Sequence, residues 1–301
     1  MVDKKIRIVT HNGGFHADDV FGVSALLLLL GDKNVEIIRS REQSVIDSAD
    51  YVLDVGFVYD ASLKRFDHHQ KEGGGKRENG IPYASFGLIW KYLGVQLCGS
   101  DEVADIVERS LVQAIDAYDN GYPLYDLKQS PDKPFLIQDA LSVFEPVDGE
   151  DITLDDQFLK AVSYARVVLE RVIMHARQQL EVRKKIKELY EQAEDKRVIV
   201  FDDDIPADRT TVASLLGEYP DTLYFVRKHE DNFWQLSCVI NPPLFYDNRK
   251  LLPIEWGGKR GEELARITGV SDSVFCHSAR FMIVTNTKES ALSLAKQVLD
   301  R

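Results

Sequence analysis

Residues 5–10 alternate charged and β-branched side chains (KIRIVT), and Asn12-Gly13-Gly14 follows. Period-two alternation predicts a strand, and the glycines predict the turn that ends it. The apolar run 17–30 opens with Asp18 and Asp19, acids that favour a helix N-terminus. Residues 35–38 predict a second strand, 43–49 a short helix, 51–55 a third strand and 65–68 a fourth. The third is mostly apolar (YVLDV), as suits a parallel strand buried on both faces. Asp54 interrupts it, and a carboxylate near a buried strand end needs a partner. Strand alternating with helix predicts an α/β fold, a doubly wound and mostly parallel sheet, with ligands outside the carboxyl ends of its strands.

Residues 71–80 (KEGGGKRENG) form a polar glycine loop. It is either a solvated connection or a mobile lid whose Lys76 and Arg77 close over an anion. A helix is predicted over 86–93 with Ser85 as its cap, and a long amphipathic helix over 101–118. That second helix delivers Asp116 and Asp119, spaced i, i+3 on one face. Residues 121–156 are rich in Pro, Asp and Ser and predict an irregular excursion. Residues 157–193 keep helical periodicity for about ten turns with no Gly or Pro; they predict a connector and a candidate homodimer surface. The pattern then resets: a strand at 197–201, an acidic turn at Asp202-Asp203-Asp204, a helix at 212–218, a hairpin from 223–227 and 234–240, a helix at 262–267, a strand at 279–284 and a helix at 288–299. The expected division is a catalytic domain over 1–155, a connector over 156–194 and a smaller α/β domain over 195–301.

Composition narrows the function. At 301 residues, 44% hydrophobic and 29% charged, the chain is an ordinary globular protein. Its net charge of −12 argues against a broad basic face for duplex nucleic acid, yet leaves room for a small basic pocket. Cys98, Cys238 and Cys276 are odd in number and far apart, as expected of reduced thiols. No apolar run reaches a membrane-spanning length. The first strand begins so early that no leader is expected, and the expected compartment is the cytoplasm.

Asp67-His68-His69 sets two adjacent imidazoles behind a carboxylate. From mid-strand they would point to opposite faces; where a strand ends and the backbone turns, both can enter one pocket. His11, His16, Asp18, Asp19 and Asp54 lie upstream, Asp116 and Asp119 downstream. Carboxylates and imidazoles without a thiolate suit Mn²⁺ or Mg²⁺, and the imidazole content favours Mn²⁺. The ligands exceed the needs of one ion; a pair about 3.5–4 Å apart would use them, and such pairs drive in-line phosphoryl displacement. In the last domain Arg249, Lys250, Lys259, Arg260 and Arg280, with His277, form a cationic set suited to phosphate. Gly257-Gly258 is either a close approach for phosphate or a simple turn. Trp256 and Phe281 are either base-stacking rings or core.

The runs Thr10-His11-Asn12-Gly13-Gly14-Phe15-His16-Ala17-Asp18-Asp19, Tyr51–Gly56, Phe66-Asp67-His68-His69-Gln70 and Ala114–Gly121 resemble, in order and spacing, the DHH phosphoesterase superfamily. Within it the chain is most similar to the melanocyte-proliferation-gene family, and the likeness continues through Asn248-Arg249-Lys250, Trp256-Gly257-Gly258 and Phe275-Cys276-His277. The resemblance implies that His11 and His16 hold one ion, that Asp18, His68 and Asp119 hold the other, and that Asp54 bridges. It implies that His69 faces the substrate as general acid or donor, with Asp67 orienting an imidazole. The wider superfamily spaces this motif as His, three residues, Asp, one residue, Asp. Here His11 is followed after four residues by His16 and then Asp18, a site with more imidazole and less negative charge. Asp19 then falls to a helix-start or supporting role, and Asp116 is ligand or support. The implied activity is 3′–5′ exonuclease action on RNA or short oligonucleotide ends, by a protein whose relatives also act in mitochondria or the nucleus. A small-molecule phosphoesterase acting on pyrophosphate, a phosphonucleotide or a cyclic dinucleotide is the alternative. His16-Ala17-Asp18-Asp19 also resembles the motif of single-zinc sugar deacetylases, a reading that leaves Asp54 and His68 unexplained.

Overall fold

The computed structural model describes residues 5–123, 133–229, 232–242 and 247–301. The chain divides into two compact units, Met1–Arg177 and Gln178–Arg301.

Unit 1 begins β1 (Ile6–Thr10), α1 (Ala17–Leu30), β2 (Val35–Arg39), α2 (Gln43–Asp47), β3 (Tyr51–Leu53), β4 (Tyr59–Asp60) and β5 (Arg65–Phe66). Its sheet runs β2-β1-β3-β5-β4, parallel throughout except for β4. Helices cover both faces. Ile46 of α2 packs with Val9, Val52 and Val55 on one. On the other, Gly22 of α1 approaches so closely that a Cβ would lie 2.6 Å from Leu53 Cδ1. β4 has no counterpart among the elements expected from the sequence: it is two residues long and turns into β5 through a 3₁₀ turn whose N–H groups Asp60 caps. The third strand stops at Leu53, two residues short of expectation, because Asp54 leaves the extended region.

α3 (Ser85–Cys98) follows, with Ala84 and not Ser85 at the N-cap. The predicted long helix is α4 (Asp101–Val107), a π-helical stretch (Glu108–Val112) and α5 (Gln113–Asp119) in unbroken succession. A π turn inserts a residue and rotates everything after it. Val107, Leu111, Val112 and Ile115 stay buried while Asp116 is fully buried as well. α6 (Ile137–Ser142) lies inside the stretch expected to be irregular; residues 124–132 of that stretch fall outside the described residues.

α7 (Leu154–Gln192) is 39 residues long. In unit 1 it buries Phe158, Ala161, Ala165 and Leu169, accepts a hydrogen bond from Ser24 Oγ at Val162 O (3.0 Å), and donates from Arg177 to Leu97 O (2.9 Å). In unit 2 its Val182 and Ile186 join the core of Ile199, Phe201 and Val212.

Unit 2 continues with β6 (Val198–Val200), α8 (Arg209–Leu216), β7 (Tyr224–Lys228), β8 (Trp234–Cys238), α9 (Gly261–Thr268), β9 (Ser273–Cys276), β10 (Met282–Thr285) and α10 (Lys288–Leu299). The sheet order is β6-β7-β8-β10-β9, and only β6–β7 is parallel. The β7–β8 hairpin matches the expected one; β9, four residues without clear alternation, is an addition.

Candidate metal centre

β1, β3 and β5 are parallel neighbours, and each runs out at a chemically active residue: His11 after Thr10, Asp54 after Leu53, and the Asp67-His68-His69 run after Phe66. The strand-end rule therefore gathers them at one end of the sheet. Asp54 turns into the left-handed region (φ 56), which Asp tolerates better than most residues. Its Oδ2 lies 3.2 Å from His11 Nε2, and its Oδ1 lies 3.3 Å from His68 Nε2 and 3.5 Å from His69 Nδ1. One carboxylate thus faces two separate imidazole sets, while Ser85 Oγ donates to Oδ1 (3.1 Å).

On the Oδ2 side, ligand atoms of His11, His16 and Asp54 come within 4.8 Å of one another. His11 Nδ1 is 3.1 Å from its neighbour's carbonyl, Asn12 O. Donation there leaves Nε2 as the lone-pair atom that a metal ligand requires. On the Oδ1 side, His68 Nε2 is 3.1 Å from Asp119 Oδ2 and 3.8 Å from Asp18 Oδ2. His16, Asp18 and Asp119 form a further group of the same compactness. The six residues read from the sequence as metal ligands are thereby brought together.

The neighbouring residues hold them. Asp19 accepts from His16 N (2.9 Å) and lies 3.3 Å from His11 Nε2. Asp67 Oδ1 receives both His69 N (3.0 Å) and His69 Nδ1 (2.8 Å), so it orients His69, which is half exposed beside the cleft. Asp116 stands apart from the compact groups: it accepts from Gly87 N (2.9 Å) and pairs with Arg77 Nη2 (2.7 Å). Arg77 is itself buried and paired with Glu108, so it anchors the glycine loop and does not close over an anion.

Charge is badly balanced at this site. Asp18 Oδ1 is buried without a hydrogen-bond partner among the described residues, while buried Asp19 Oδ2 and His68 Nε2 have ionic neighbours, His11 for the first and Asp54 and Asp119 for the second. Burial, with the charges of Asp54 and Asp119, holds the Asp18 carboxyl well above the usual range. Burial pushes Asp19 up to about 7 against the pull of His11. Burial would also raise Asp54, but hydrogen bonds from His11 and His68 outweigh it and hold this carboxyl below its ordinary value. Burial disfavours charge on His68, yet Asp119 and Asp54 push its pKa up to about 10. Crowded buried carboxylates must take up protons or cations. Oxygen and imidazole donors without sulfur fit a hard or borderline divalent ion; the three cysteines are buried and free.

Three residues near this centre were not singled out from the sequence. Arg39 donates to Gly13 O (2.5 Å) and Asp155 Oδ1 (2.7 Å), and its guanidinium lies 4.6 Å from the Phe158 ring and 5.6 Å from that of Phe15. It thereby holds the loop between His11 and His16. Arg41 and Phe57 line a cleft with His11, His16, Asp54 and His69. Arg39 and Arg41 end or follow β2, so the strand-end argument applied to that strand would have found them.

In unit 2 the predicted cationic set divides. Arg249 donates to Tyr219 O (2.5 Å), Thr222 O (2.9 Å), Gly217 O and Asn241 Oδ1 (3.1 Å), so its guanidinium serves the chain around the end of α8 rather than a ligand. Lys250 donates to Val298 O (2.9 Å), and Lys259 pairs with Glu263 (2.5 Å). Arg280 donates to Leu252 O (3.2 Å) from a left-handed backbone. Trp256 is core. His277 stacks on Phe281 at 4.2 Å, and exposed Arg260 lies 4.7 Å from the Phe275 ring. A larger cavity in unit 2, about 590 Å³, is lined by Leu189, Val198, Val200, Leu292 and Leu299 among others and contains no imidazole.

The chain is thus a mixed α/β protein whose parallel strand ends gather His and Asp side chains into groups able to hold a metal ion. The model of the MYG1 exonuclease family, described as an uncharacterised protein family (UPF0160), matches residues 7–299, and the chain belongs to that family. It is 28% identical to a MYG1 protein of Schizosaccharomyces pombe over 98% of each chain, and 30% identical to a MYG1 protein of Dictyostelium discoideum over 98% of this chain and 97% of that one. It is 28% identical to the human MYG1 exonuclease over 97% of this chain and 85% of the relative. Among solved structures, RecJ of Thermus thermophilus in complex with Mn²⁺ is a weak likeness, with a TM-score of 0.32 and 14% identity over 98% of this chain and 52% of RecJ. No helix among the described residues is long and apolar enough to cross a membrane.

Proposed function

We propose that this protein is a two-metal phosphodiesterase that removes nucleotides from the 3′ end of RNA or short oligonucleotides. The observation that carries the reading is Asp54, whose two oxygens each face a separate set of imidazoles and carboxylates in a pocket where the buried Asp18 Oδ1 has no hydrogen-bond partner among the described residues. His11, His16 and Asp54 would hold one ion; Asp18, His68 and Asp119, again with Asp54, the other. Bound there, Mn²⁺ or Mg²⁺ would supply Lewis acidity and neutralise the charge that builds on the phosphoryl oxygens. His69, fixed at Nδ1 by Asp67, lines the cleft and would protonate the leaving oxygen as general acid. Asp19, Asp116, Arg39 and Ser85 hold these groups in place. In unit 2 we assign substrate contact to Lys259, Arg260, His277 and Arg280, and leave Arg249 out because its guanidinium makes four hydrogen bonds among the described residues, against one each for the side chains of Lys259 and Arg280. Relatives named as exonucleases support the nuclease reading.

The test is Mn²⁺-dependent release of mononucleotides from single-stranded RNA labelled at either end, which gives the direction. His68→Ala and Asp54→Asn are expected to lower the rate by about a hundredfold or more, since removing even a supporting partner of a metal ligand costs about 10–100-fold. If the purified protein with Mn²⁺ leaves RNA and short oligonucleotides intact, the nuclease reading fails. Turnover of pyrophosphate, a phosphonucleotide or a cyclic dinucleotide would then identify the small-molecule alternative.

A further inference from the structure

The stretch after β3 combines three unusual features. Asp54, Gly56 and Phe57 all have positive φ, at 56°, 96° and 57°. For glycine this is free; for a bulky aromatic it is rare and strained. A smaller residue would sit there at less cost, yet the position carries a phenyl ring that is 70% exposed. The ring does not serve the core. Its backbone is held nonetheless: Phe57 N donates to Asp67 Oδ2 (2.6 Å), and the other oxygen of the same carboxylate holds His69. The ring and the imidazole are therefore positioned by one group.

Arg41 lines the same cleft of about 110 Å³, with His11, His16, Asp54 and His69. It is exposed and makes no ion pair or hydrogen bond among the described residues. In a chain of net charge −12, an arginine without an acidic partner beside a cluster of carboxylates is conspicuous. A guanidinium offers a fork of donors matched to phosphate, and an exposed aromatic ring offers a stacking face for a base.

We infer that Arg41 and Phe57 form a nucleotide subsite at the mouth of the metal centre, Arg41 on a phosphate and Phe57 against an unstacked base. This rests on the phosphodiesterase reading and narrows it: the ligand is a single-stranded nucleotide end, since a base within a duplex has no free face to offer. Stacking on one ring tolerates any base, so the subsite discriminates the presence of a base rather than its identity.

The experiment uses the full chain with Ca²⁺ in place of Mn²⁺, and fluorescence anisotropy of a labelled pentaribonucleotide. It is compared with the same pentamer carrying an abasic 3′-terminal unit. The wild type is expected to bind the base-bearing end about tenfold more tightly. Phe57→Leu should erase that preference and Phe57→Tyr should retain it. Arg41→Gln should weaken both ligands and reduce the slope of log Kd against log salt by about 0.7. Thermal melts establish that each variant is folded. Equal binding of the two ligands by the wild type, a preference that survives Phe57→Leu, or no binding at all overturns the subsite. Base preference without Mn²⁺-dependent cleavage would keep the subsite and sink the phosphodiesterase; cleavage without base preference would do the reverse.

Discussion

At the scale of single residues, the centre is governed by protons that a cation would displace. Asp19 titrates near 7 in the fold against an ordinary 3.8, with burial the main cause and His11 opposing it. His68 titrates near 10 against 6.5, because Asp119 and Asp54 outweigh its burial. Both groups bind protons more tightly folded than unfolded. The metal-free protein should therefore lose stability as pH rises, from about 4 to 7 through Asp19 and from about 6.5 to 10 through His68. Ligands must be deprotonated to bind an ion, so the stabilisation conferred by Mn²⁺ should grow over the same range. Melting curves from pH 5 to 9, with EDTA and with Mn²⁺, check both slopes; a metal-free protein that gains stability toward pH 9 would contradict this account. His11, Asp54 and the Asp67-His68-His69 run are legible in the sequence because they follow predicted strands, whereas His16, Asp18 and Asp119 lie at helices and are picked out through the family resemblance. The roles of Arg39 and Ser85 are not legible there, although the position of each can be read. Their importance lies in the atoms they reach, Gly13 O and Asp54 Oδ1, and neither contact has a local pattern.

At the scale of elements, α3 and α5 meet through one small residue. A Cβ on Gly87 would lie 1.8 Å from Asp116 Oδ2 and 2.7 Å from Arg77 Nη2. In an isolated helix, Gly87→Ala would be favourable by about 1 kcal/mol. Here it should destabilise by about 3 kcal/mol, because it displaces one partner of a buried ion pair. Urea unfolding of the full chain measures the difference, and a neutral or stabilising result would show that the helices can part without loss. The displacement should also reduce Mn²⁺ affinity, since Asp119 lies on the same helix as Asp116. Much of the order of elements could be read from periodicity: β1 through β3, the long α7, the β7–β8 hairpin and α10 stand close to where hydrophobic spacing put them. What failed to show has a common cause. β4 is two residues long, β9 is four, and the π stretch of Glu108–Val112 differs from α-helix by a single inserted residue. None spans enough residues for a period to emerge, and each depends on partners distant in sequence. The glycine loop illustrates the same limit: its composition suited a lid, and only Glu108 and Asp116, more than thirty positions away, reveal Arg77 as an anchor.

At the scale of the whole molecule, net charge and proposed substrate pull in opposite directions. A chain of charge −12 repels a polyanion at long range, so any affinity must come from a few short-range contacts. A duplex offers charge over its full length, and a net charge of −12 argues against a broad basic face to exploit it. A chain end offers one or two phosphates and an accessible base, which the proposed subsite of Arg41 and Phe57 and the proposed metal centre would engage at once. The balance predicts weak, shallow salt dependence. With two or three phosphates contacted, the logarithm of the association constant for a single strand should fall with log salt at a slope of about −1.5 to −2, where a protein making eight contacts would show about −6. Duplex RNA of the same sequence should neither compete for binding nor be degraded until it is melted. Competition binding between about 50 and 300 mM salt, with parallel digestion of single-stranded, blunt duplex and 3′-overhang substrates, reads both quantities. Trimming that stops at the duplex junction is the expected pattern. A steep slope, or equal digestion of blunt duplex, would mean that an extended cationic path exists despite the overall charge, and that substrate is gripped along its length rather than by its end.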